Sequence, residues 1–118
     1  MYLNRRETGV RYEEVAARAL YARGYRILER NFRCRFGEID IVARHKGVLV
    51  FVEVKYRRDL RSGFPEEAVD RRKQEAIRRT AEVYMHRHGY DWWAGCRFDV
   101  VAIAGEDIRV IEDAFWTE

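Results

Sequence analysis

Glu53 and Lys55 interrupt a run that otherwise reads Val48-Leu49-Val50-Phe51-Val52-x-Val54. Charged side chains inside so apolar a strand call for a partner or a metal. Strand side chains alternate between faces, so Leu49, Phe51, Glu53 and Lys55 share one side and Val48, Val50, Val52 and Val54 the other. Upstream, Asp40 closes the run Gly37-Glu38-Ile39-Asp40. A tight turn at Lys46-Gly47 pairs His45 with Val48, Ala43 with Val50 and Asp40 with Glu53. A loop one residue longer slips the register and sends Asp40 to the other face, and a further residue restores it. In the first register two carboxylates oppose each other about 5 Å apart at Cβ, which is destabilising unless a cation compensates. Lys55 supplies part of that charge, and hard oxygen ligands at this spacing suit Mg²⁺ or Mn²⁺, with water and a substrate phosphate completing the shell. The chemistry so predicted is a divalent-cation site with Asp40 and Glu53 as ligands, open to water and a phosphate group. The competing reading makes Asp40 a strand-edge residue and Glu53-Lys55 a solvated ion pair.

The elements that must position these residues follow from periodicity. Tyr12, Val15, Ala16, Ala19 and Leu20 form a helical stripe within Val10 to Arg23, with Thr8 as N-cap and Gly24 as stop. Tyr25 to Phe32 reads as a strand before a loop over Cys34 to Gly37, and Glu38–Ala43 with Val48–Lys55 as a hairpin. A basic, turn-prone segment follows, and Pro65 opens a helix to about His88 that presents Ala68, Val69, Ala76, Ile77, Thr80, Ala81, Tyr84 and Met85 to the sheet. Two more strands, Cys96–Ala104 and Ile108–Phe115, flank a Gly105-Glu106-Asp107 turn. The order is α-β-β-β-α-β-β, an α/β sandwich with a mixed sheet and flanking helices.

Composition bounds the class. The 118 residues, 47% hydrophobic and 36% charged, fit one packed domain over 1–118. The sequence shows no apolar run long enough for a membrane helix and no signal peptide, so no membrane partner and a cytoplasmic location are expected. Only Cys34 and Cys96 occur, without metal-binding spacing, so both read as reduced structural thiols. Of 23 basic residues only Lys46, Lys55 and Lys73 are lysines. An arginine bias suits a polyanionic partner, and equally a GC-rich genome. Arg57, Arg58, Arg61, Arg71, Arg72, Arg78 and Arg79 are the candidate phosphate contacts. Lys73 lies on the otherwise apolar side of the second helix, where a charge reaches carboxylates or phosphate, or else snorkels on its stem; Gln74 stands beside it. His86 and His88 fall on different helical faces and read as surface residues. Trp92 and Trp93 read as anchors of a turn rather than as base-stacking residues.

Gly37-Glu38-Ile39-Asp40 followed by Phe51-Val52-Glu53-Val54-Lys55 resembles the GEID and FVEVK signature of the bacterial YraN-like family of uncharacterised proteins, assigned to the PD-(D/E)XK superfamily. The resemblance extends over nearly the whole chain, through Glu13, Gly24-Tyr25, Arg30-Asn31, Ala68-Val69 to Lys73, Phe98-Asp99-Val100 and Ala114-Phe115. It implies a restriction-endonuclease-like three-layer sandwich, Asp40 and Glu53 as metal ligands, Lys55 orienting water, Glu13 contributing directly or through water, and a role for Lys73. Two positions depart: Tyr12 stands where the family usually has Gly, and Ile39 stands where the superfamily name puts Pro. The first leaves open whether Glu13 or Glu14 faces the site, since adjacent helical residues point about 100° apart. The implied activity is a Mg- or Mn-dependent endonuclease acting on DNA or RNA, DNA favoured, without sequence specificity or selecting branched structures. By analogy with archaeal Holliday-junction resolvases, a homodimer is expected. The alternative is a nucleic-acid-binding module that keeps the fold without useful catalysis, and the rival to both is a protein-interaction domain whose charges only keep it in solution.

Overall fold

A computed structural model describes residues 5–57, 69–91 and 94–115, with side chains from residue 11 onward. The elements are α1 (Arg5–Ala22), β1 (Arg26–Cys34), β2 (Gly37–His45), β3 (Val48–Arg57), α2 (Arg71–Arg87), β4 (Arg97–Ala104) and β5 (Asp107–Ile111). The five strands form one sheet in chain order, antiparallel except where β3 lies parallel to β4 across the α2 crossover. α1 covers one face and α2 the other, so the sequence order and the three layers are those of a restriction-endonuclease-like fold. Among the described residues, no helix is long and apolar enough to cross a membrane.

Strand alternation divides the interior into two cores. Val50 and Val52 of β3 pack with Ile41, Val101 and Ile103 beneath Ala16, Ala17 and Leu20 of α1. Leu49 and Phe51 face the other way, onto Ile77, Ala81, Tyr84 and Met85 of α2. Fully burying one such aliphatic or aromatic side chain contributes roughly 1.5–3 kcal/mol, so each helix is fixed to the sheet by several of them. The faces therefore follow the sequence pattern, with Glu53 and Lys55 in line with Leu49 and Phe51 on the α2 side.

Several boundaries differ from expectation, each for a local reason. α1 begins at Arg5, so Thr8 lies inside the helix and is not its cap. At its other end Tyr25 N–H donates to the Leu20 carbonyl and Gly24 N–H to that of Tyr21, closing the helix where Gly24 was expected to stop it. β1 and β2 run further toward each other than the expected loop allowed, with Cys34 paired to Gly37. α2 starts at Arg71, not Pro65: the Asp70 carboxylate accepts the Lys73 N–H at 2.9 Å, and Val69 and Asp70 are outside the helix. Pro65 and Ala68 lie outside the described residues. β5 ends at Ile111 rather than Phe115, because Asp113 takes a positive φ of 54° and the chain folds back, Ala114 N–H donating to the Phe98 carbonyl at 2.8 Å. The β4–β5 turn holds only Gly105 and Glu106, since Ala104 pairs with Asp107.

Candidate metal centre at a fork in the sheet

The β2–β3 hairpin closes through Lys46 and Gly47, both at positive φ (53° and 78°), as a tight hairpin turn requires. His45 pairs with Val48 and Ala43 with Val50, and the ladder continues to Ile41 opposite Val52. There it stops. Ile39 belongs to the α2-side core and Ile41 to the α1-side core although they are two apart, so the alternation of β2 breaks at Asp40. On β1 the facing position, Asn31, has φ 55° and falls between the pairs Arg30–Ile41 and Phe32–Ile39. Where β2 leaves β3, the Asp40 side chain replaces the missing backbone acceptor: its Oδ2 takes the Val54 N–H at 2.8 Å. This bond fixes the carboxylate at the opening between the strands.

Asp40 does not stand alone there. Carboxylate oxygens of Glu13, Glu38 and Asp40, all half-buried, lie within 4.8 Å of one another. Glu13 descends from α1, and Glu38 comes from β2, two positions before Asp40. Glu14, the alternative to Glu13, instead pairs with Arg30 at 2.7 Å and Arg18 at 3.4 Å. Glu38 also carries a 3.2 Å ion pair to Arg33. β2 can begin so close to α2 only because residue 37 has no side chain: a Cβ there would lie 3.3 Å from Thr80 Oγ1, and φ is 152°.

Glu53, only 6% exposed, approaches this end of the sheet from the α2 side. Its Oε1 lies 3.4 Å from Lys55 Nζ and 3.5 Å from Lys73 Nζ. Lys73 thus reaches a carboxylate rather than resting its stem on the apolar face. Glu53 does not join the three-carboxylate cluster at that spacing, yet among the neighbouring acids it disfavours Asp40 ionisation most. It adds its charge to the same opening. Burial first, then Glu53, then Glu13 and Glu38 push the Asp40 carboxyl up to about 7 against the opposing Val54 hydrogen bond. Four acids and two lysines, drawn from α1, β2, β3 and α2, therefore surround one opening. The expected pairing of Asp40 with Glu53 as joint ligands is not what the fork brings together: Asp40 is joined by Glu13, as the resemblance implied, and by Glu38, which the sequence reading missed, while Glu53 stands outside that group against Lys55 and Lys73. The signal for Glu38 was present in its i, i+2 spacing from Asp40.

The arginines divide. Arg71 and Arg72 are exposed on the first turn of α2, next to Lys73. Arg78 is instead bound to Glu75 and Glu82, and Arg79 lies 3.3 Å from Glu75 and over the Phe36 ring. The two glutamates sit three or four residues away on the same helix, the spacing at which helical side chains meet, so both guanidinium groups already carry an intrahelical partner. Arg57 ends β3, half-buried. Arg58, Arg61, Trp92 and Trp93 lie outside the described residues. Gln74 donates to the Val69 carbonyl at 2.9 Å, holding the entry to α2. His86 and His88 are exposed, and His88 stacks on Tyr84. Cys34 and Cys96 are unpaired with each other, and burial pushes the Cys96 thiol up to about 11.

The model of the Uncharacterised protein family UPF0102 matches residues 12–103, the span from α1 through β4 that contains every acid and lysine of the cluster. The chain belongs to the UPF0102 family. A UPF0102 protein of Lachnoclostridium phytofermentans is 50% identical over 113 residues, covering 96% of both chains. One of Pelobacter propionicus is 54% identical over 105 residues, covering 86% of this chain and 74% of its own, and one of Cytophaga hutchinsonii is 44% identical over 104 residues, covering 88% and 90%. The YraN-like resemblance carried by GEID and FVEVK is thus a true membership.

Proposed function

We propose that this UPF0102 protein hydrolyses phosphodiester bonds in nucleic acid with the help of a divalent cation bound at the fork. The observation that carries the reading is the convergence of Glu13, Glu38 and Asp40 within 4.8 Å, with Asp40 held up near 7 by burial first and then by its acidic neighbours. The donor set fits Mg²⁺ or Mn²⁺: all the ligand atoms are hard carboxylate oxygens, and their mutual repulsion is relieved by a cation. When bound, such an ion lowers the pKa of a water and offsets charge on the phosphorus. Asp40, oriented by the Val54 N–H, and Glu13 and Glu38 hold the ion. Glu53 keeps Lys55 and Lys73 at the edge of the opening, where one ammonium group orients the attacking water and the other meets a phosphate oxygen. Arg71 and Arg72 extend the positive surface along the backbone.

One observation favours a second reading. Both lysines already neutralise Glu53, as suits a module that binds nucleic acid without cutting it. Cleavage assays on linear, single-stranded, flapped and four-way DNA and RNA, with Mg²⁺ or Mn²⁺, separate the two. The hydrolase reading expects cleavage that disappears in Glu53→Ala and in chelator; salt-sensitive binding with no cleavage under any condition supports the module. A homodimer remains part of the proposal, checked by sedimentation.

A further inference from the structure

Two tyrosines adjoin fork residues in the chain and meet on the α1 side of the sheet. Tyr12 immediately precedes Glu13 on α1, and Tyr56 immediately follows Lys55 on β3. Their rings lie face to face, with centroids 3.6 Å apart and planes 19° from parallel. Tyr12 packs against the α1-side core. Its hydroxyl hydrogen-bonds to that of Tyr56, which also raises its pKa. Strand alternation puts Tyr56 on the same side as Val50 and Val52, opposite to Lys55. Tyr56 remains 38% exposed, and among the described residues it is the large exposed hydrophobic side chain that adjoins a fork residue in the chain.

We propose that the Tyr12–Tyr56 stack is a platform for one unpaired nucleobase beside the phosphate held at the fork, which makes strands with unpaired nucleotides the preferred substrate class. The inference rests on the reading of the fork as a nucleic-acid site and names what that site selects. A stack already two rings deep presents a flat, preordered π face, to which a third ring adds without further ordering of the protein. Every base has such a face, so the preference is for unpaired bases and not for a sequence. Bases inside a continuous duplex are stacked on both sides and cannot reach it. The arrangement also divides labour: Lys55, Lys73, Arg71 and Arg72 act on phosphate, while the tyrosines act on the base.

The test needs no catalysis. Binding to a labelled oligothymidylate and to an abasic strand of equal length is measured both with Ca²⁺ and in chelator, for wild type, Tyr56→Leu and Tyr56→Trp. Wild type is expected to bind the base-bearing strand about tenfold more tightly than the abasic one, the stacking of a single base. Tyr56→Leu should erase that preference while leaving abasic affinity and its salt dependence unchanged, and Tyr56→Trp should keep it. A wild-type protein that binds both strands equally overturns the inference alone. So does a Tyr56→Leu protein that weakens on both strands alike, which marks the pair as a clasp between α1 and β3. Absence of binding to any strand overturns the nucleic-acid reading and this inference together. If Tyr56→Leu fails to fold, the wild-type comparison and Tyr56→Trp still decide.

Discussion

The sheet holds two sets of carboxylates and treats them in opposite ways. At the hairpin end, Asp99 has no exposed surface. It receives Arg97 Nε at 2.9 Å and Nη2 at 2.8 Å, the Tyr25 hydroxyl at 2.6 Å and the Asp113 N–H at 2.9 Å. Arg97 also reaches His45 Nδ1 at 2.7 Å, and the His45 ring stacks on Tyr25 at 3.9 Å. Every acceptor position has a donor, and the charge is matched by a guanidinium. At the fork, Asp40 receives one backbone N–H and is otherwise ringed by Glu13, Glu38 and Glu53. The first arrangement is complete without a ligand. The second sets cations against Glu53 and Glu38, while the charges that act most on Asp40 are those of acids, and proteins retain such repulsion where a cation or substrate relieves it.

The contrast can be broken at either end. The largest effect is expected from Arg97→Met, which leaves Asp99 buried without its counter-charge; removing one partner of a buried pair costs about 3–5 kcal/mol, seen as a lower denaturation midpoint. Divalent-cation binding in the protein that stays folded should be unchanged. At the fork the order reverses: Glu53→Ala should cut cleavage by at least about a hundredfold, beyond what loss of a supporting partner of a metal site usually costs, with little loss of stability in denaturant melts. Gly37→Ala sharpens the comparison by moving the backbone that carries Glu38 and Asp40. Its Cβ meets Thr80 Oγ1 at 3.3 Å at a φ of 152°, and strained backbone of this kind costs about 1–3 kcal/mol by chemical denaturation. The smallest effect is a slope. Asp40 ionises near 3.8 in an unfolded chain and near 7 in the fold, so across that interval the native state holds the extra proton and stability falls as pH rises. This contribution is fully present below the lower value and lost once pH passes the higher one. Asp40→Asn should therefore flatten the decline of the metal-free Tm between about pH 4 and 7.

The fold was legible wherever one local rule dominated. Lys46-Gly47 specified a hairpin turn, the turn fixed the register, and the register fixed the faces of Glu53 and Lys55. The helix stop at Gly24 followed from the same kind of local signal. What was not legible depended on departures from regularity or on tertiary meetings. Continuing the alternation of β2 through Asp40 assumes an unbroken ladder, but that strand leaves its partner there and the side chain takes the Val54 N–H instead. Asp70 displaced Pro65 as the start of α2 because capping is decided by which carboxylate meets the first free N–H groups, and both candidates were in the sequence. The Asp99 network joins residues from before β1, from β2 and from β4, and nothing in their spacing brings Tyr25 to Asp99 across 74 positions. Only the Arg97-x-Asp99 pair, sharing a strand face, was there to be read. The intrahelical partners of Arg78 and Arg79 were legible too, since Glu75 and Glu82 stand at helical spacing from them.

The central claim, that the fork is built for a divalent cation, is tested most directly by titrating Mn²⁺ into the metal-free protein by calorimetry at a pH above the Asp40 pKa, beside Asp40→Asn. The account predicts a saturable site in wild type that is lost or greatly weakened in the variant while its melting profile stays cooperative. Equal heats in the two proteins, or no saturable binding in wild type, would contradict it.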